Sequence, residues 1–446
     1  MKKTIIGIVI GLVVGALAMA LFFSPGVGRK GPAGPKNSFY PVTGKLDPGG
    51  DIYLYASTES LIRGTGEFAG KLRKLIAAGP GSAEGLPIFD FAVGLLKRSG
   101  ISEISGVGAS SIQIGPDLFR SRMVVHHYPE RNEGILWRTM GEKPRPLKEL
   151  ELLPADTVMA GFSDFSLFAL WHWFRKEAEA SDIPKLKTAI ASAEPELQKL
   201  GIPLEKILQS LAGGMGFLLT LDAEKTITIP TGNTALTIPE PGLALIVAVK
   251  DDTLFNLLAQ KLPFAQKTEE KGTKKLLIPL PPLPVPLKPE ILQKDGLLIF
   301  ASHEKVVEAM FLARDTGKGL TATEDFRKLS AGVPETGNGF RFIHPRFFRA
   351  LAGIQKSTMS MAPSGGDQGR TLREMFNFLQ REWKFYGVME NSSEGMVMTF
   401  NHNLKLEYLL ALPAMGVAGT AAAVAVPNFL KAAEKAKQNA APPPTK

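Results

Sequence analysis

The sequence predicts an α+β protein of repeated strand–helix units with antiparallel or mixed sheets, flanked by an N-terminal and a C-terminal transmembrane helix. Three observations carry this prediction. Short alternating or apolar runs of strand length recur beside amphipathic runs that start at Ser, Thr or Asp. Uncharged runs long enough to span a bilayer stand near both ends. A composition of 44% apolar and 21% charged residues is that of a chain that buries a core. At 446 residues the chain is too long for one ordinary core, so two or three packed units are expected.

Residues 1–23, MKKTIIGIVIGLVVGALAMALFF, place two lysines before twenty uncharged residues, Thr4–Phe23. At about 1.5 Å per residue a helix of that length crosses about 30 Å of hydrocarbon. The competing reading is a cleaved signal peptide, for which Ala16–Ala20 offers small residues. The apolar run continues through Leu21, Phe22 and Phe23, which favours an anchor. Gly7, Gly11 and Gly15 sit four apart, a spacing that lets two such helices approach closely. Residues 24–46 are a Gly/Pro-rich linker.

The body divides by pattern into residues 47–222 and 223–405. Within it one arrangement recurs three times: a strand leads into a helix, and a later helix leads into a strand. The first copy has DIYLYAS (Asp51–Ser57), a helix over about Thr58–Ala78, then LLKRSGISEISGVGASSIQIG (Leu95–Gly115). The second has LPADTVMAGF (Leu153–Phe162), a helix over Ser163–Ala180, then PLEKILQSLAGGMGFLLTL (Pro203–Leu221). The third has GFRFIHP (Gly339–Pro345), a helix from Arg346, then Phe378–Phe400. Between copies two and three, GLALIVAVK (Gly242–Lys250) reads as a buried strand followed by a helix capped by Asp251 or Asp252. GTKKLLIPL and DGLLIFAS (Asp295–Ser302) are expected to pair before the helix HEKVVEAMFLARD. Ile278–Pro289, with prolines at nearly alternate positions, reads as a rigid connector between strands, the alternative being a polyproline ligand.

Residues 406–430 contain a second uncharged run, Tyr408–Leu430, and 431–446 form a basic tail. Its Ala/Gly-rich sequence with Pro413 is less hydrophobic than the first segment. Transmembrane helices tolerate such Gly and Pro content, and the competing reading is a buried helix of a soluble fold. Gly416, Gly419, Pro427 and Phe429 are its expected membrane or partner contacts. Lysines at both extremities favour keeping both ends in the cytoplasm and the body outside, although Arg29, Lys30, Lys36 and Lys45 oppose that orientation.

Two resemblances follow from these residues. LPADTVMAGF together with DGLLIFASHEKVVEAMF, LTATEDFRKLSAGVP and GFRFIHP resembles a bacterial envelope family of unknown function. That resemblance implies a membrane-tethered extracytoplasmic α+β body and brings no catalytic residues. Gly419–Lys431 resembles the transmembrane helix of pilins and pseudopilins. Leu410 stands where a pilin carries its helix glutamate, and the pilin processing signal is absent. The pattern supports a membrane helix emerging at Pro427 rather than a processed pilin.

The net charge of +9 lies in the tails. Residues 1–46 hold Lys2, Lys3, Arg29, Lys30, Lys36 and Lys45 without an acid, and 431–446 hold four lysines against Glu434. The body is therefore neutral, which argues against a nucleic-acid partner. With no cysteine, thiolate chemistry and disulfides are excluded. Gly106–Ser111 (GVGASS) half-matches a dinucleotide loop but alternates into a strand. His126, His127, His172, His303, His344 and His402 form no His-Glu-x-x-His pair and are expected at surface or edge positions. Asp156, Asp164, Glu177 and Glu179 read as caps or a solvated helix face. Phe162, Phe165, Phe168, Trp171, Trp173 and Phe174 offer a possible apolar binding surface, wider than one helical core stripe.

The expectation is a non-enzymatic binding or scaffolding protein without cofactor or metal. It sits in a bacterial inner membrane with its body periplasmic, and its partners are the membrane, other envelope proteins and its own copies. The alternatives are a pilus- or type II secretion-associated component and an envelope lipid-handling protein or hydrolase.

Overall fold

The structure is a computed structural model describing residues 37–79, 81–231, 234–280, 287–350 and 382–404. Both apolar ends, and with them Gly7, Gly11, Gly15, Gly416, Gly419, Pro427 and Phe429, lie outside these residues. Among the described residues no helix is long and apolar enough to cross a membrane.

The chain opens with helix α1 (Phe39–Thr43), then strand β1 (Ile52–Ser57), helices α2 (Glu59–Ala78) and α3 (Ser82–Arg98), and strands β2 (Ile104–Gly115) and β3 (Leu118–His127). Helix α4 (Ile135–Thr139) and strand β4 (Arg145–Pro146) lead to the second copy. That copy is strand β5 (Thr157–Asp164), helices α5 (Leu167–Ala180), α6 (Pro184–Lys199) and α7 (Leu204–Ser210), and strands β6 (Leu211–Thr231) and β7 (Thr234–Val249). Helix α8 (Thr253–Lys261) follows, with strands β8 (Gln266–Glu270), β9 (Thr273–Leu277), β10 (Glu290–Lys294) and β11 (Leu297–Ala301). Helices α9 (Glu304–Thr316) and α10 (Glu324–Ser330) and strand β12 (Thr336–Gly337) precede the third copy, strands β13 (Gly339–Ile343), β14 (Phe385–Ser392) and β15 (Gly395–His402).

Thirteen strands join one antiparallel sheet in the order β1-β2-β3-β15-β14-β13-β5-β6-β7-β11-β10-β9-β8. The fold is thus α+β with a large antiparallel sheet. Each of the three copies supplies a triplet, β1-β2-β3, β5-β6-β7 and β13-β14-β15, whose first strand pairs with its second across a helix-bearing insertion. The expected division near residue 222 falls inside β6, where the sheet is continuous. One pairing differs from expectation. Thr273–Leu277 and Leu297–Ala301 do not pair; β10 lies between them and bonds both. Its polar sequence, EILQK, masks a strand buried along most of its length. The proline-rich connector leaves from β9 and returns to β10, and the Ile278 N–H donates to the Pro289 carbonyl at its base (3.0 Å). Helix α5 starts later than expected because Ser163 and Asp164 still belong to β5.

Two faces follow from register, because directly paired residues share a face. On the first face Phe162 pairs with Phe340 and Ala160 with Phe342, and these side chains form the main core with Leu218, Ile246, Ile299, Tyr386 and Val388. Helix α9 covers this face with Val306, Val307, Met310 and Phe311. The glycines of GGMG, Gly214 and Gly216, make room for the Phe162 ring, since a Cβ at Gly216 would lie 2.5 Å from it. At the β1–β3 end the same face is closed by Val42 and Leu46 packed on Val124. On the second face the β7–β9 end is closed by α8, whose Phe255 is fully buried against Val249, Leu276, Ile291 and Leu298. The edge strand β8 is fully exposed and carries Lys267, Glu269 and Glu270, charges that discourage pairing with other chains.

One core carboxyl lacks compensation. Glu290 is 1% exposed under the main core, with neither carboxylate oxygen hydrogen-bonded among the described residues. Burial raises its pKa; Lys275 opposes the shift, and Glu304 and Glu308 reinforce it. The Lys275 ammonium is itself held by Glu304 at 2.8 Å. The folded state therefore holds this proton more tightly than the unfolded chain. Its contribution to stability is complete below the ordinary glutamate range and is lost as pH rises through the raised folded pKa. Glu290→Gln is expected to raise stability at pH 8 by about 1 kcal/mol, with no gain at pH 4, read from melting curves at both pH values.

Candidate functional site

The second face of the sheet between β1 and β7 is apolar and open in part: Ser121, Phe400 and His402 on it are buried, whereas Leu54 of β1, Met123 of β3, Leu243 and Leu245 of β7 and Arg341 are exposed. Strand pairing fixes three parallel rows across it. One row runs Leu54, Ala109, Met123, Met398, Met389, Gly339, Ser163, Met215 and Val247. The next runs Ser121, Phe400, Gly387, Arg341, Gly161, Phe217 and Leu245, and the third Phe119, His402, Phe385, Ile343, Met159, Leu219 and Leu243. Leu54 is 58% exposed, Met123 42%, Leu243 44% and Leu245 49%. Met159, Met215, Phe217, Leu219, Ile343, Phe385, Met389 and Met398 are half-buried.

Methionine is concentrated on this face. Met123, Met159, Met215, Met389, Met396 and Met398 all point to it, whereas Met140 and Met310 are the other two methionines among the described residues. Unbranched, polarisable thioethers adapt to ligands of varied shape, which suits a binding surface better than a fixed core. Large aromatics lie flat across the glycines: Phe385 and Phe400 stack at 5.3 Å, and a Cβ at Gly387 would meet both. A monomeric soluble domain rarely leaves so extended an apolar surface without a use for it.

A second feature is polar. A cavity of about 390 Å³ lies at the start of α5, lined by Arg138, Arg145, Asp164, Phe168, Gln209 and Lys250 among others. Its central cation is already satisfied. Arg145 Nη2 donates to Asp164 (2.8 Å) and Glu149 (2.9 Å). Burial works to lower the Arg145 pKa, but the two carboxylates outweigh it and hold the group charged. Behind it, Asn338 donates to Asp164 (3.2 Å) and to the Lys143 carbonyl (2.9 Å), and its oxygen accepts the Asn391 N–H (2.8 Å). This network fastens α4 and β4 to β5 and β14 as a structural joint.

The residues singled out from sequence fall in several places. Phe162 is buried on the first face and separated from the helix aromatics. Phe165, Trp171, Trp173 and Phe174 are half-buried around α5, while Phe168 is 37% exposed with its ring 4.3 Å from His172. The expectation of surface or edge histidines fails for three of six, because β3 and β15 lie inside the sheet. His126, His127 and His402 are 2% exposed or less. Ser105 Oγ meets His126 Nδ1 at 2.6 Å and Ser121 Oγ meets His402 Nε2 at 2.7 Å, while the His127 ring packs on Trp137 at 4.3 Å. These Ser–His contacts are sealed from solvent, so no substrate can reach them in this conformation. The four acids stand apart: Asp164 binds Arg145, Glu177 binds Arg98, Glu179 lies 3.9 Å from Arg175, and burial raises the Asp156 pKa. No group of three or more metal-ligating side chains is present among the described residues.

Sequence reading missed the methionine-lined face. Its signal was there in strands apolar on both sides, such as FYGVM (385–389) and GMVMTF (395–400), a pattern that implies two covered faces. Compared with family models, curated proteins and solved structures, the chain matches none.

Proposed function

We propose that this chain is a membrane-tethered, extracytoplasmic envelope protein with a non-enzymatic binding role, and that its binding surface is the open apolar face, which takes lipid acyl chains. The observation that carries this reading is the contiguous set of Met, Leu and Phe side chains across seven central strands. Strand pairing places acyl-compatible side chains side by side there, and no charged residue interrupts the rows apart from Arg341. The apolar ends at 1–23 and 406–430 supply the tether in this reading and bring the face close to its lipid. The neutral body fits a lipid partner better than a nucleic acid.

The test is the lipid that the full chain retains on purification, quantified by extraction and mass spectrometry. The double variant Met123→Glu/Leu245→Glu puts two charges on exposed positions of the face, so the fold should survive. Bound acyl lipid is expected to fall about tenfold, equivalent to about 1.4 kcal/mol of binding. Unchanged lipid in a variant with a wild-type melting curve would remove the face from consideration.

A further inference from the structure

Arg341 stands near the middle of the apolar face, in register with Gly161 on one side and Gly387 on the other. Its side chain runs flat over Gly161, where a Cβ would lie 2.7 Å from the arginine Cδ. Glycine at 161 is what allows this path. Arg341 Nη1 donates to the Phe162 and Phe340 carbonyls at 2.9 and 2.8 Å, which fixes the head of the side chain while leaving it open to solvent.

No carboxylate compensates this guanidinium among the described residues. The side chain is solvent-exposed, and its apolar neighbours desolvate it only in part, which lowers its pKa. Several arginines of the body differ, since Arg145 has Asp164 and Glu149, Arg314 has Asp295 and Asp315, and Arg122 has Asp47, whereas Arg120 and Arg327, like Arg341, donate to backbone carbonyls. Exposed at the surface of the apolar face, the guanidinium has no carboxylate among the described residues competing for an anion that reaches it. A guanidinium presents a planar fork of donors matched to phosphate oxygens, and one anchored through a single nitrogen keeps donors available.

We infer that the ligand of this face is a phospholipid, its head-group phosphate bound by Arg341 and its acyl chains laid along the methionine rows. This rests on the reading of the face as an acyl-chain site. The two together describe one amphiphile: a single anionic point surrounded by apolar side chains is complementary to a phosphodiester joined to two hydrocarbon tails.

The test uses the full chain in detergent with two photoactivatable probes sharing the same acyl chains, a phosphatidylglycerol and a diacylglycerol, and maps the labelled peptides. The phospholipid is expected to label residues 385–402. Arg341→Gln should cut that labelling about tenfold, to the level of the diacylglycerol, and leave diacylglycerol labelling unchanged; Arg341→Lys should restore part of it. Equal phospholipid labelling in wild type and Arg341→Gln would overturn the head-group assignment and leave the acyl-chain site standing. Absence of label from the face with both probes would overturn the acyl-chain site itself. Matching melting curves for Arg341→Gln and wild type show that a loss of labelling is not a loss of fold.

Discussion

Phe162→Ala is expected to destabilise the protein by about 3–5 kcal/mol, the range for removing a fully buried phenylalanine. Phe162 sits on a central strand with 2% of its surface exposed, paired with Phe340 and in the same cluster as Ala160, Leu218 and Ile246. The loss has two parts. Burial of the ring is forfeited, and the space that Gly214 and Gly216 leave for it has no side chain nearby to refill it. Phe168→Ala on α5, which removes an exposed ring, is expected to cost less than about 1 kcal/mol. Denaturant melts of the two variants separate core from surface within the aromatic group. Equal effects would mean that Phe162 is not the core residue its burial indicates.

The second large effect is expected at Asn391. Its side-chain nitrogen donates to the Trp137 carbonyl (2.9 Å) and the Gly141 carbonyl (2.5 Å), both from the segment after β3. Its own N–H is taken by Asn338 Oδ1. Gly141 adopts φ +80°, and a Cβ there would fall 2.4 Å from Asn338 Nδ2, so the loop is fitted closely to the amides. Asn391→Ala leaves two carbonyls without donors and should cost about 2–4 kcal/mol. Asn391→Asp has nearly the same shape but sets a carboxylate against those carbonyls, so it should cost at least as much. Thermal melts of both variants provide the check; a mild Asp effect with a severe Ala effect would point to packing rather than hydrogen bonding.

Much of the fold was legible in local pattern. The first two copies announce themselves by a strand followed by a helix; Ser166 caps α5, its Oγ accepting the Ala169 N–H, whereas Thr58 at the start of α2 makes no cap and donates its hydroxyl to the Ile104 carbonyl. What local pattern lacks is partner order. That β15 of the last copy lies beside β3 of the first is a contact across some 270 residues, set by Val397 meeting Val124, and nothing in either strand names the other. The fate of His126, His127 and His402 turns on the same point, since a strand's neighbours decide whether its ends are buried. Strand β10 was missed because its polar letters hide that Glu290 and Gln293 are both buried. The binding face depends on the order of all seven strands, so it is invisible until register lines up methionines from distant copies. The helix aromatics drew attention as a compact run in sequence, whereas the methionine face is assembled only in space.

The central claim is that the second face of the sheet contacts lipid. The absence of native cysteine makes a direct reading possible. A single cysteine at Met123, labelled with a polarity-sensitive fluorophore, places a reporter on an exposed site of the face, and one at Lys318 after α9 serves as a control. On adding phospholipid to the delipidated full chain, the Met123 reporter should shift to the blue and become protected from an aqueous quencher while the Lys318 reporter stays unchanged. Equal response at the two positions, or none at Met123 with lipid bound elsewhere on the chain, would contradict the account.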